Sequence, residues 1–426
     1  MKLNTKRTIL IGLAFMSIAS FWQMYDSIIP LILQNTFGLK ETVTGSIMAI
    51  DNVLALFMLP LFGALSDRVS TRIGKRTPFI LGGTFMAVVF MLLIPISAQR
   101  NNFVLFFVSL GIVLIAMSTY RSPAVALMPD LTPKPLRSKA NAIINLMGAV
   151  GAIFTLLMIS ILIPKVENPS YMNVFIAVSA LMIVAVTVLF FTIKENKLLK
   201  EVEEDKDGHF QDSPEEIKRE SEPMSPEVKR SLYFLLTSVF LWFTAYNAIT
   251  TAFSRYATKV WGMQGGGFAN ALMVATGAAI LSYIPIGIIS SKIGRKKTII
   301  IGITMMSISY FFGFLFKEYS PWINVIFAFT GIGWASISVN SYPMVVEMSR
   351  SSDVGRYTGF YYTASMAAQV FTPIASGFLL DINYRTLFPY SVVFSLLSLT
   401  TMMFVRHGDS KPIKKKSSLE HFDIDD

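Results

Sequence analysis

The sequence predicts an all-α integral membrane protein, with twelve transmembrane helices in two pseudo-symmetric six-helix bundles. Three observations carry this. Uncharged apolar runs repeatedly pass 18 residues along the 426-residue chain, the length that crosses a bilayer. One long polar stretch divides those runs six and six. The two sets of six then match each other under a single shift of 220 residues.

Composition agrees: 53% of residues are hydrophobic, 15% are charged and the mean hydropathy is +0.55, more apolar than a water-facing surface tolerates. A soluble domain of buried helices would need apolar runs shorter than about 14 residues. The chain has no cysteine, which excludes disulfides, thiol catalysis and Cys-based metal sites. Its three histidines, His209, His407 and His421, all lie in polar segments.

The spans fall at 8–33, 43–66, 78–98, 103–128, 138–163, 171–193, 231–258, 267–291, 298–316, 321–347, 355–380 and 387–405. Lys2, Lys6 and Arg7 precede the first. Its apolar run of about 25 residues lacks a small-residue cleavage pattern, so it reads as a retained span and not a cleaved signal. Gly, Ala, Ser and Thr recur throughout the spans, as in helices that approach one another closely in a bilayer. Prolines 30, 60, 123, 285, 343 and 373 lie inside or near the ends of spans, where they bend helices and free backbone carbonyls.

An even number of spans puts both termini on one side. That side carries 29 Lys and Arg, against six in the opposite loops: Lys40, Arg100, Lys165, Lys259, Lys317 and Arg385. Without the central loop the ratio is still 21 to six, so the positive-inside rule places both termini in the cytoplasm, in a multi-pass protein of the plasma (cell) membrane. The basic excess is topological and calls for no nucleic-acid partner; the partners expected are membrane lipid and a small molecule.

The domain reading follows: residues 1–193 form the N-terminal bundle, 194–230 a cytoplasmic linker, 231–406 the C-terminal bundle and 407–426 a cytoplasmic tail. The linker has 12 acids, 8 bases and almost no apolar content, the composition of a partly helical, flexible tether. The offset of 220 lays Gly111 on Gly331, Ser118 on Ser338, Pro123 on Pro343, and Gly74-Lys75 on Gly294-Arg295. A parallel six-span repeat implies an axis along the membrane normal, with a substrate cavity between the bundles near mid-membrane.

The stretch Gly63–Pro78, GALSDRVSTRIGKRTP, sets five charges between two apolar spans. Gly74 suits a tight turn and Pro78 the first turn of the next helix. The negative end of span 2's dipole favours Arg68 and Arg72, while Asp67 can accept hydrogen bonds from nearby arginines and from N–H groups at a neighbouring helix start. Two readings stand: a cytoplasmic latch that closes in one state and opens in the other, or a basic loop that only sets topology. The gate candidates are Gly63, Asp67, Arg68, Arg72, Gly74, Lys75, Arg76, Asp130 and Arg137.

This stretch resembles the loop 2–3 signature of the major facilitator superfamily, a Gly, an Asp-Arg pair and then Gly-Arg/Lys-Arg/Lys. The run from Arg121 through Ala-Leu-Met-Pro-Asp130-Leu, with Arg137 and Ala140-Asn141-Ala142, is similar to the glycoside-pentoside-hexuronide:cation symporters and their sucrose-transporter relatives. With Ser290 to Lys297 the likeness covers essentially the whole chain, although the second-half loop lacks an acid where Asp67 stands. The resemblance implies the major facilitator fold and secondary transport of a sugar. Melibiose-type members bind Na⁺ with two acids one turn apart in span 2, and those positions are Ala55 and Leu59 here. The arginine that sucrose transporters carry in span 4 falls on Val125, with Arg121 one turn earlier on the same face.

Charge at membrane depth is costly and points to function. The ionisable residues within spans are Asp26, Asp51, Arg121 and Arg255. Counting about 1.5 Å per residue puts Asp26 and Asp51 at similar depth in the outer half, with Arg121 nearer the cytoplasm. Desolvation favours a protonated carboxylate, so Asp26 or Asp51 is the candidate proton site, and Arg121 its switchable partner or a substrate clamp. The alternative is that these are buried pairs that merely orient helices. Trp22, Gln23, Tyr25, Tyr120, Asn145, Tyr246, Asn247, Trp334, Asn340, Tyr361 and Gln369 are the candidate cavity lining, since aromatic plates and amides match the apolar faces and polar edges of sugars.

No ATP-binding loop, metalloprotease motif or nucleophile elbow is present, so the expectation is not an enzyme and uses no cofactor. The coupling ion is expected to be a proton, not sodium. The reading is proton-coupled symport of a glycoside or small oligosaccharide. Its rivals are a proton-coupled exporter of drugs or metabolites and a non-transporting membrane sensor of the same fold.

Overall fold

A computed structural model describes residues 3–133, 136–166, 169–206, 225–348 and 354–409. Residues 207–224 of the expected linker and 410–426 of the expected tail lie outside the described residues. Twelve helices among those described are long and apolar enough to cross a membrane. They are α1 (Thr5–Asn35), α2 (Glu41–Arg68), α3 (Thr77–Gln99), α4 (Phe103–Asp130), α5 (Arg137–Leu162), α6 (Met172–Thr192), α8 (Pro226–Lys259), α9 (Phe268–Ile293), α10 (Arg295–Leu315), α11 (Trp322–Glu347), α12 (Val354–Ile382) and α13 (Leu387–Met403). A short helix, α7 (Glu195–Lys206), follows α6.

The helix starts are written in local chemistry. Asn4 accepts from the Arg7 N–H at 3.1 Å, and Asn102 from the Leu105 N–H at 2.9 Å, each satisfying an otherwise orphaned donor. Ser225 caps α8 with Pro226 in its first turn, so that helix begins inside the polar stretch expected to be linker. The interior prolines at 30, 60, 123, 285, 343 and 373 sit within unbroken helices, as lipid-embedded neighbours permit.

The chain divides into two compact units. The first holds α1 to α7 together with Met263–Met273; the second holds α8 and the remainder of α9 through α13. Within the first, α1 packs on α5 and α6, and α3 on α4 and α6. Within the second, α8 packs on α12 and α13, and α10 on α11 and α13, the same pairing one repeat later.

Lipid tails are as apolar as leucine, so close approach and interhelical hydrogen bonds must do the joining. At Gly151 of α5 an added Cβ would strike the Met16 carbonyl of α1, and the Ser20 hydroxyl donates to the Gly151 carbonyl at 2.9 Å. Thr155 returns a bond to the Ser20 carbonyl at 3.0 Å. In the second unit Ser238 and Thr401 join α8 to α13 at 2.7 Å, and Ser307 and Ser395 join α10 to α13 at 2.9 Å. Such bonds contribute about 0.6 kcal/mol each within a bilayer.

Candidate functional site

The first unit concentrates charge. One face of α1 presents Trp22 and Asp26, four residues apart and therefore neighbours. Opposite them α2 brings Asp51 and Asn52, and α4 brings Arg121. Trp22, Asp51, Asn52 and Arg121 line one narrow cleft with Ser118 and Leu114. The Asn52 amide donates to Asp51 Oδ1 at 2.8 Å, and the Arg121 guanidinium carbon stands 5.9 Å from the centre of the Trp22 ring. Asp51 of α2 and Arg121 of α4 thus share one cleft. Both carboxylates are half-buried. Tyr25 is fully buried, and neither its hydroxyl nor Trp22 Nε1 has a hydrogen-bond partner among the described residues. Ala55 and Leu59 line the same cleft.

Other residues expected near this site lie elsewhere in the unit. Tyr120 is fully buried, bonded to the Ser17 hydroxyl at 2.8 Å and the Ala14 carbonyl at 3.0 Å, and so ties α4 to α1. Gln23 donates to Ser27 at 3.1 Å, and Asn145 is half-buried on α5.

The second unit concentrates aromatic surface. Tyr246 of α8 lies flat on Trp334 of α11, ring centres 3.8 Å apart and planes 7° from parallel. Phe243, one turn before Tyr246, meets Trp334 edge-on at 5.2 Å and reaches Tyr361 of α12 at 6.4 Å. The Tyr361 hydroxyl is 3.0 Å from the Ser341 hydroxyl. Beside Tyr246, the Asn247 side-chain nitrogen is buried with no acceptor among the described residues. Asn340 is turned into its own helix, donating to the Ser336 carbonyl at 2.9 Å, while Gln369 is half-buried farther along α12. Phe243 was invisible as a contributor because no sequence pattern separates one phenylalanine in a span from the rest.

The charged loop between α2 and α3 is tightly built. Arg76, 4% exposed, makes an ion pair with Asp67, holds Asp130 through Nε at 3.0 Å and reaches the Gly63 carbonyl at 3.3 Å. Lys75 pairs with the same Asp130 oxygen at 3.1 Å. Arg137 closes the end of α4 by donating to the Pro129 and Thr132 carbonyls at 2.9 and 3.2 Å. Arg68 and Arg72 are exposed.

The acid at the start of α3 is Glu195, not Asp67. Glu195 opens α7, is 1% exposed, and takes the N–H groups of Lys75, Arg76 and Thr77, each at 2.9 Å, with the Thr77 hydroxyl at 2.7 Å. A Cβ on Gly74, whose φ is +124°, would collide with it. The second unit repeats the device: Asp409, after α13, accepts the Lys296 N–H at 2.7 Å, and Arg295 pairs with Glu347 at the end of α11. The shift of 220 lays Glu195 on Lys415 and not on Asp409, so the repeat in the sequence does not pair the two acids.

The sequence model of the Major Facilitator Superfamily matches residues 11–283 and 271–424, almost the entire chain. The chain belongs to the major facilitator superfamily. The superfamily consists of membrane transporters, not enzymes. Among curated proteins, this superfamily member is 27% identical over 151 residues to the sucrose transport protein SUC3 of Arabidopsis thaliana, covering 31% of this chain and 25% of that one. It is 24% identical over 167 residues to the sucrose transport protein SUT4 of Oryza sativa subsp. indica, covering 35% and 28%. The alignments thus span about a quarter of those relatives' length. The inward-open xylose transporter XylE from E. coli superposes with a TM-score of 0.65 at 15% identity, covering 98% of both chains, and a peptide transporter POT bound to sulfate with 0.67 at 13%, covering 93% and 94%. These two show the fold.

Proposed function

We propose that this major facilitator is a secondary active transporter that imports a glycoside or small oligosaccharide with protons, by alternating access, from a plasma membrane in which both termini are cytoplasmic. The observation that carries the reading is the first unit's cleft, where Asp51 sits in the field of Arg121 while the sodium-site positions beside them are Ala55 and Leu59. A proton needs one carboxylate with a partner that can let go; sodium needs several oxygen ligands. Protonation of Asp51 or Asp26 neutralises the pair and frees Arg121 to donate to sugar hydroxyls.

The second unit's aromatic wall supports the sugar assignment. Stacked rings offer a flat apolar face, and the unpaired Asn247 amide offers a directional donor for a hydroxyl. Similarity to sucrose transport proteins points the same way. The charged loop, with Arg76 shared between Asp67 and Asp130, acts as a latch whose ion pairs break and re-form in the cycle.

Uptake of a panel of labelled sugars into vesicles carrying an imposed proton or sodium gradient tests this. Accumulation driven by the proton gradient is expected. Accumulation with sodium alone would reassign the ion, outward pumping would favour the exporter, and no flux with either gradient would leave the sensor reading.

A further inference from the structure

Where α8 begins, its face opens into a groove of 450 Å³ lined by Pro226, Lys229, Arg230, Tyr233, Phe234 and Thr237. The spacing of three and four residues stacks these side chains along one line of the helix, cations first and apolar groups after. The Arg230 guanidinium carbon is 5.7 Å from the Phe234 ring centre, and Phe234 itself stacks on Phe404 at 5.2 Å. Tyr233 is 71% exposed, which a tyrosine at a membrane boundary can be at little cost.

No carboxylate pairs with Lys229 or Arg230 among the described residues. The described acids at this end are Glu227, exposed in the first turn, and Asp409, occupied by the Lys296 N–H. A second groove, between α3 and α4, has no charged residue in its wall. Among the described residues the α8 groove therefore couples a cationic mouth to an apolar floor, a combination that matches an anionic lipid.

We infer that the α8 groove binds an anionic glycerophospholipid of the cytoplasmic leaflet, its phosphodiester held by Lys229 and Arg230 and one acyl chain lying along Tyr233, Phe234 and Thr237. The assignment of leaflet rests on the cytoplasmic placement of the termini proposed above; the binding itself does not. A zwitterionic lipid gains only the chain contact. Each cation near a bilayer surface gives roughly a five-fold preference for anionic lipid, so the pair is worth about twenty-five-fold.

The test is native mass spectrometry of the full-length protein in neutral detergent with equal amounts of phosphatidylglycerol and phosphatidylcholine. Wild type is expected to retain phosphatidylglycerol over phosphatidylcholine by about twenty-five-fold. The double variant Lys229→Gln/Arg230→Gln should lose that preference, whereas Lys197→Gln/Lys200→Gln on α7, with the same charge removed, should keep it. Equal retention of the two lipids by wild type, an unchanged preference in Lys229→Gln/Arg230→Gln, or equally strong retention of chainless glycerol phosphate would each overturn the proposal. A separate accessibility measurement at the termini in intact cells reads the leaflet, so an error of sidedness is distinguishable from absence of the site.

Discussion

Glu195 Oε2 accepts both the backbone N–H of Thr77, at 2.9 Å, and its hydroxyl, at 2.7 Å. A single buried carboxylate thus fixes the amino end of α3 from a residue outside the membrane spans. Helix-start amides and a negative charge suit each other through hydrogen bonding and through the helix dipole. Replacing Glu195 with Ala leaves several buried donors unmet, a loss of about 3–5 kcal/mol. Thermal unfolding in detergent should show a large fall in Tm for Glu195→Ala, and a much smaller one for Asp409→Ala, whose single bond to Lys296 is exposed.

Gly74 adopts a φ of +124° directly against Glu195. Gly74→Ala therefore incurs both backbone strain, about 1–3 kcal/mol, and a steric clash. A Glu195→Ala background removes the carboxylate from the clash but keeps the Cβ of residue 195, 2.8 Å from the added Cβ, so part of the clash and all of the strain remain. The two substitutions should accordingly cost less together than the sum of their separate effects on Tm, and strict additivity would contradict the contact.

Asp51→Asn and Asp26→Asn separate coupling from translocation. The variant that removes the proton carrier should abolish sugar accumulation against a gradient and spare counterflow, which moves substrate both ways without net proton movement. Unchanged accumulation in both variants would return these carboxylates to a purely structural role.

Asp67→Asn removes one of the two carboxylates that Arg76 holds among the described residues, leaving it Asp130. If the ion pair works as a latch, transport should drop at least several-fold with normal expression. Wild-type transport at normal expression would make the loop a topological device only.

Trp334→Ala would remove the plate on which Tyr246 lies and the edge contact with Phe243. Aromatic contacts of this kind are worth about 0.5–1.5 kcal/mol beyond their area. Sugar affinity measured by tryptophan-independent binding, such as calorimetry, should weaken by roughly ten-fold. Trp334→Phe should recover part of the loss.

The spans were legible because a bilayer imposes length and apolarity on every one of them, and the charged loop because five charges between apolar runs must stay in water. Asp26, Asp51 and Arg121 stood out by cost alone, and the structure places Asp51 and Arg121 on one cleft, with Asp26 within the field of Asp51. Side-chain direction was not legible. Tyr120 has the right residue type for a cavity and instead braces α1, because Ser17 and the Ala14 carbonyl happen to lie opposite it. Asn340 likewise bonds within its own helix. Glu195 was hidden by its surroundings: in a stretch with 12 acids, nothing local marks the one that folds back to a loop 118 residues away.

Glu195 and Asp409 also bear on where each repeat ends. Both lie just beyond the last span of their half, and each satisfies the first turn of that half's third helix. A gene cut at the membrane boundary, after residue 193 or at α13, would deliver six spans without the acid that completes them. Half-proteins made for complementation by co-expression should instead run through α7 in the first case and through Asp409 in the second, so the unit of inheritance in this repeat is six helices plus one carboxylate.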